Sequence, residues 1–270
     1  MTSQAAPIRI TPPAVLGGLR AHRLLERNLL VYRRSWTIIF SGFFEPVFYL
    51  FSIGVGLGAL VGDVVGPGGK PVTYTMFVAP ALLASSAMNG AVYESTMNIF
   101  FKLKFGKVYD GMLTTPMKPM DIAVGEISWC LIRGLLYAVG FLVVLLAMGL
   151  TRGWLWPLVL PTAVLLGFAF SACGMAATTW MKGWQDFDLV NLVTLPLFLF
   201  SATFYPLDIY PPLLQNIARI SPLYHGVELI RGFVLGVTDW SMLGHAAFLL
   251  IMGLIGLAIT RVRLAKLLLT

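Results

Sequence analysis

Of the 270 residues, 58% are hydrophobic and 11% charged, where an ordinary soluble domain is roughly a quarter charged, so the chain reads as one integral membrane domain. The net charge of +7 comes from 19 Lys and Arg against 12 Asp and Glu. These basic residues alternate with apolar blocks instead of forming one patch, which argues for membrane orientation and anionic headgroups and against nucleic acid.

Residues 1–13, with three prolines, read as a flexible tail, and residues 14–270 as the membrane domain. The N-terminus lacks a short apolar core followed by a small-residue cleavage site, so no cleaved signal peptide is expected. In residues 14–34, Leu16, Leu19, Leu24, Leu30 and Val31 mix at helical spacing with Arg20, Arg23, Arg27, Arg33 and Arg34. That pattern predicts an amphipathic helix in the headgroup plane, or a plain basic anchor; the two are compatible.

A first span is expected over residues 36–60, with Glu45 and Pro46 reading as a structural kink in preference to a substrate contact. Residues 62–71 form a Gly/Pro loop whose GPGGKP lacks the spacing and the Ser or Thr of a phosphate loop. A second span follows over residues 72–99, with Glu94 near its inner end placed to snorkel or to pair with a lysine of the next loop. That loop, 100–121, is a polar island carrying Lys102, Lys104, Lys107 and Lys118. The third span covers residues 122–150. Its Glu126 and Arg133 lie about 10 Å apart along the axis, too far for a direct pair but open to shared partners.

Trp154 and Trp156 mark an outer interface, and a fourth span is expected over 158–181 and a short fifth over 189–205. Residues 206–240 hold two helix-like pieces, LLQNIARI and GVELIRGFVLG, too short to span, with Ser221 as N-cap and Pro222 at the first helical position of the second. Both are expected to dip into the outer leaflet. A sixth span, 242–259, runs out at Arg261, Arg263 and Lys266. With both ends inside, four of the 19 Lys and Arg are outside (Lys70, Arg152, Arg219, Arg231), Arg133 is in a span and the other fourteen are cytoplasmic. The asymmetry predicts six spans with both termini cytoplasmic.

No HExxH, GxSxG or Walker pattern is present, and His22, His225 and His245 are scattered, so no catalytic residue and no metal site is expected. Cys130 and Cys173 fall inside predicted spans and give neither a disulfide framework nor ligand spacing. Glu45, Glu94, Glu126 and Arg133 are read as structural polar groups in the membrane, and Asp186 and Asp188 as charges at an inner end.

Four stretches taken together, EPVFYLFSIGVGLG (45–58), PALLASSAMNGAVYE (80–94), YDGMLTTPMKPMDIAVGE (109–126) and the run 204–236, resemble the permease subunit of type 2 ABC exporters. Within it, the branch that exports nodulation lipo-oligosaccharides and drugs is the one resembled. The resemblance implies an all-α fold of six spans with an N-terminal interface helix and two re-entrant outer helices. It also implies a separate ABC ATPase in two copies, carrying the ATP and Mg2+, and a second permease copy or a related permease completing the pathway. This chain would bind no cofactor itself, and its only other partner is membrane lipid. A coupling helix over 102–116 would seat on the ATPase, engaging Lys102, Lys104, Lys107, Tyr109, Asp110, Leu113, Thr115 and Pro116, beside the interface helix with Arg20, Arg23 and Arg27. The second and fifth spans would face the pathway, nominating Met88, Tyr93, Phe198 and Phe200. The expected function is export of an amphipathic molecule (a drug, lipid or lipid-linked saccharide) across the inner membrane. The alternative is a non-transporting anchor or signalling scaffold that recruits a cytoplasmic ATPase.

Overall fold

The computed structural model describes residues 20–33, 44 and 46–269. The tail, the start of the amphipathic segment, Glu45 and the first part of the first span lie outside the described residues.

A helix α1 (Ala21–Arg33) precedes an apolar helix α2 (Pro46–Val61). A two-stranded hairpin follows, β1 (Asp63–Val65) against β2 (Pro71–Thr73), in antiparallel register with Val64 opposite Val72. The Gly/Pro loop between them was expected to be irregular. Pairing lets its flanks satisfy their own backbone groups, and this small sheet departs from the all-α expectation.

Helix α3 (Tyr74–Phe105) starts where Thr73 Oγ1 accepts the Met76 amide, and runs on past the expected end at Ile99 through two widened turns, Glu94–Asn98 and Phe101–Phe105. The polar island therefore begins as helix, and only the short α4 (Val108–Leu113) remains of the expected 102–116 coupling helix. Gly106 and Lys107, the latter at φ +43°, separate the two. Next come α5 (Pro119–Ala147), with Pro at its first position, and α6 (Val159–Thr178).

Helix α7 (Asp186–Phe200) ends earlier than expected, and residues 201–205 are non-helical, with Ala202 at φ +53°. The two short helices are α8 (Pro212–Ile220) and α9 (Pro222–Leu235). Pro222 opens α9 as expected, but Ser221 does not cap it; the Ser221 hydroxyl lies 2.5 Å from that of Ser201. The last helix, α10 (Ser241–Leu269), extends beyond the expected 242–259 to include Arg261, Arg263 and Lys266.

Helix α3 is the centre of the bundle. Along Phe77–Met88 nearly every side chain is enclosed, small residues (Ala79, Ala81, Ala84, Ala87) letting α5, α6 and α9 approach closely. Among the described residues four helices are long and apolar enough to cross a bilayer: α3, α5, α6 with its lead-in turn, and α10. Helix α7, at 15 residues, spans about 22 Å against a hydrocarbon thickness of about 30 Å. The six-span count thus rests on α2 and α7.

Candidate functional site

Lys102, Lys104, Lys107, Lys118, Lys182, Arg261 and Arg263 gather at one end of the bundle, opposite the hairpin. At that basic end two carboxylates are buried between α1, α3, α4 and α5. Each is met by donors from at least two other elements.

Glu126, on α5, is fully enclosed. It accepts Lys102 Nζ from the end of α3 at 2.7 and 2.9 Å, the Tyr109 hydroxyl from α4 at 3.1 Å and Asn28 Nδ2 from α1 at 3.4 Å. Glu94, in the first widened turn of α3, pairs with Arg133 of α5 and accepts Asn98 Nδ2 and, at 3.3 Å, the Tyr32 hydroxyl of α1. Arg133 donates a further bond to the Tyr137 hydroxyl at 2.7 Å and lies over the Tyr32 ring, 5.1 Å from its centroid. Glu94 was expected to snorkel or to pair with a loop lysine; it does neither, because the turn at 94–98 aims it across at Arg133 of α5. Glu126 and Arg133 make no direct pair with each other, as their spacing required; each has its own partner on α3.

Burial and the carboxylates keep the phenols neutral. Burial first, then the Glu94 charge, push Tyr32 up to about 12. Burial, then Glu126, hold Tyr109 well above the usual phenol range. Both are therefore donors, and a buried carboxylate met by three donors avoids the large cost of an unpaired charge.

Helix α1 is held to this site by a face made of Ala21, Leu24 and Asn28, with Tyr32 one turn on. Asn28 and Tyr32 were absent from the sequence reading, as were Asn98 and Tyr137. The available signal was a polar residue on the apolar face of an amphipathic helix. Gly125 of α5 makes the approach possible: a Cβ there would lie 3.0 Å from Leu24 Cβ and 3.2 Å from the Ala21 carbonyl.

The expected coupling residues separate into two groups. Tyr109 is buried and Lys102 nearly so, both turned inward onto Glu126. Lys104, Lys107, Asp110, Thr115 and Pro116 are exposed, with Leu113 half-buried at their edge. Thr114 and Thr115 hydroxyls close the end of α4 on the Gly111 and Met112 carbonyls. Arg20 donates to the Pro116 carbonyl, fastening α1 to the same loop, while Arg23 is exposed and paired with Glu26 at 3.1 Å. Arg27 is exposed and reaches Asn28 Oδ1 at 3.5 Å. The C-terminal end of α3 meets the start of α7 through rings: Phe100 on Phe187 at 5.2 Å and Phe101 on Trp184 at 4.8 Å.

The four pathway candidates are dispersed. Met88 is enclosed in this chain's own core and lines no open surface of it, because small neighbours on α3 bring other helices over it. Tyr93 is 63% exposed and Phe200 39%. Phe198 lies between Tyr49 of α2 and Phe204. Among the described residues no group of three or more His, Cys, Asp or Glu is placed to hold a metal ion.

Residues 21–235 match the family described as ABC-2 type transporter. The chain is 34% identical over 223 residues to Nodulation protein J of Rhizobium leguminosarum bv. trifolii, covering 82% of this chain and 83% of that protein. Nodulation protein J of Rhizobium meliloti (strain 1021) is 30% identical over 213 residues, 78% of this chain and 79% of the relative. Inner membrane transport permease YadH of Escherichia coli (strain K12) is 28% identical over 194 residues, 71% and 73% of the two chains.

Proposed function

The chain belongs to the ABC-2 type transporter family, and on that premise we propose that it is the permease subunit of an ATP-driven exporter of amphipathic molecules, powered by a separate ATPase. Two copies of that ATPase would seat on two permease chains, with the basic end cytoplasmic and the hairpin end outside. Drugs, lipids and lipid-linked saccharides are the proposed cargo classes, amphipathic molecules suited to passage through a largely apolar membrane domain.

The observation that carries the reading is the buried network at the basic end. The exposed residues of the 107–116 connection face away from the bundle, while Tyr109 and Lys102 beneath them bind Glu126 on α5. A displacement of α4 is therefore delivered to α3 and α5 together, through charged hydrogen bonds too costly to leave unmade. Helix α1 shares the same carboxylates and moves with them.

The test is reconstitution with the ATPase in liposomes, following ATP hydrolysis and flipping of an NBD-labelled phospholipid. Asp110→Ala combined with Lys107→Ala should preserve folding of the permease and weaken both assembly and flipping. A wild-type complex that hydrolyses ATP, is never stimulated by lipid-like probes and moves none of them would instead favour a scaffold.

A further inference from the structure

A second polar contact lies at the opposite end of the bundle, where transport coupling makes no use of it. His225 of α9 and His245 of α10 face each other with their Nδ1 atoms 2.6 Å apart. Phe248 stacks on the His225 ring at 4.0 Å, and Tyr224 sets its edge against both imidazoles at 5.7 and 5.8 Å. His225 Nε2 is buried and has no hydrogen-bond partner.

This arrangement fixes the protons. One Nδ1 must donate and the other accept. A buried Nε2 without a partner is far less costly as a bare lone pair than as an N–H, so His225 carries its proton on Nδ1 and donates to His245. An added proton then has two places to go, and both break the arrangement. On His245 Nδ1 it sets N–H against N–H; on His225 Nε2 it buries a charged N–H whose nearest acceptor, the Arg219 carbonyl, lies outside hydrogen-bond geometry.

The surrounding groups offset this only in part. Glu228, one turn along α9, is paired with Arg231 at 2.8 Å and also lies within electrostatic reach of His245. Tyr224 is neutral, held up by burial and then by Glu228. Arg219 of α8 and Asp208 lie farther out, within electrostatic reach of Tyr224, and the Arg219 carbonyl weakly favours a charged His225. The outer half of α6, residues 159–166, has no titratable side chain. Burial and the neighbouring His245 push His225 down to about 4.

Helix α9 is otherwise fastened by contacts that do not titrate near neutrality. Arg231, fully buried, donates to the Phe77 carbonyl of α3 at 3.2 Å and the Ala202 carbonyl beyond α7 at 2.7 Å, and covers the Phe77 ring at 3.9 Å. The Ser201 and Ser221 hydroxyls meet at 2.5 Å. Among these contacts of the described residues, acid acts on the one to α10.

We propose that the His225–His245 contact is a proton-operated latch that holds α9 against α10 while both rings are neutral and releases it on acidification. The sign follows from linkage: the folded contact disfavours the proton, so its contribution is full above the ordinary histidine value near 6.5 and is lost as pH falls toward 4. Opening should rise by up to about tenfold per pH unit across that interval for one proton. That the acidifying side is the exterior rests on the orientation proposed above; the latch itself does not.

The experiment uses the full purified permease in lipid nanodiscs, without the ATPase, so its outcome is independent of transport. Hydrogen exchange, corrected for intrinsic pH dependence, is followed over residues 222–230 and 241–249 between pH 7.5 and 4.5, for wild type and His245→Asn. Wild type should lose protection at least tenfold with falling pH and the variant should show no such transition. In parallel, the imidazoles of 13C-histidine-labelled wild type are titrated, with His22 assigned by substitution, and a ring transition should coincide with the loss of protection. Protection independent of pH in wild type, or a transition retained in His245→Asn, overturns the proposal. Should that variant fold poorly, ring titration in wild type at a pH unrelated to any change in protection overturns it equally.

Discussion

At the residue scale the chemistry turns on Glu126. With the side chain at 0% exposure and Lys102 at 12%, this is an ion pair out of water, where removing one member leaves a charge uncompensated. Glu126→Gln is expected to destabilise the purified permease by about 3–5 kcal/mol, and Tyr109→Phe, which loses one hydrogen bond and keeps its packing, by about 1 kcal/mol. Thermal unfolding in detergent measures both. The double variant Lys102→Met with Glu126→Gln should recover much of the loss, and equal destabilisation of single and double variants would contradict the pairing. The sequence made Glu126 and Arg133 visible as costly residues in an apolar span, and their spacing correctly ruled out a mutual pair. Their actual partners were illegible, because Lys102 and Glu94 reach them only through the extension of α3 to Phe105 and its widened turn at 94–98. No periodicity signals a single extra residue per turn.

At the scale of elements, the placement of α1 depends on how near its backbone can come to α5. Gly125 sits under Leu24 and the Ala21 carbonyl with no room for a larger group. Gly134, two and a half turns on, has nothing within 4 Å of where a Cβ would be. Gly125→Leu is expected to lift α1, seen as faster hydrogen exchange over residues 21–33 and weaker protection of the α4 loop that Arg20 fastens. Gly134→Ala should leave exchange unchanged and add about 0.5–1 kcal/mol of helix stability. Similar behaviour of the two variants would show that α1 is not seated through Gly125. Helix existence was legible here: α1, α8 and α9 all appear where apolar spacing and Pro222 put them. Helix ends were not, since α7 stops at Phe200 for a tertiary reason, the capture of Ser201 by Ser221 and of the Ala202 carbonyl by Arg231. Propensity over Ser201–Tyr205 carries no trace of that capture.

At the scale of the whole molecule, α7 and α10 each leave a long face uncovered, and their chemistry distinguishes what should cover them. Along α10 the exposed positions from Ala247 to Ile259 are uniformly apolar (Phe248, Leu250, Ile251, Leu254, Ile255), as lipid tails require. Helix α7 has no buried residue and exposes Asn191 among Leu189, Leu192, Val193 and Leu195. An amide facing hydrocarbon is costly, whereas a second chain or a pathway can receive it. Helix α7 is also too short to cross an undisturbed bilayer, which is tolerable where protein surrounds it. In the assembled transporter α7 should therefore face the other copy and α10 the lipid. The check is oxidative cross-linking in membranes, in a background with Cys130→Ala and Cys173→Ser. Leu192→Cys is expected to give a disulfide-linked dimer on a non-reducing gel and Ile255→Cys to remain monomeric. The opposite result would move the shared surface to α10 and leave Asn191 to be satisfied by another means.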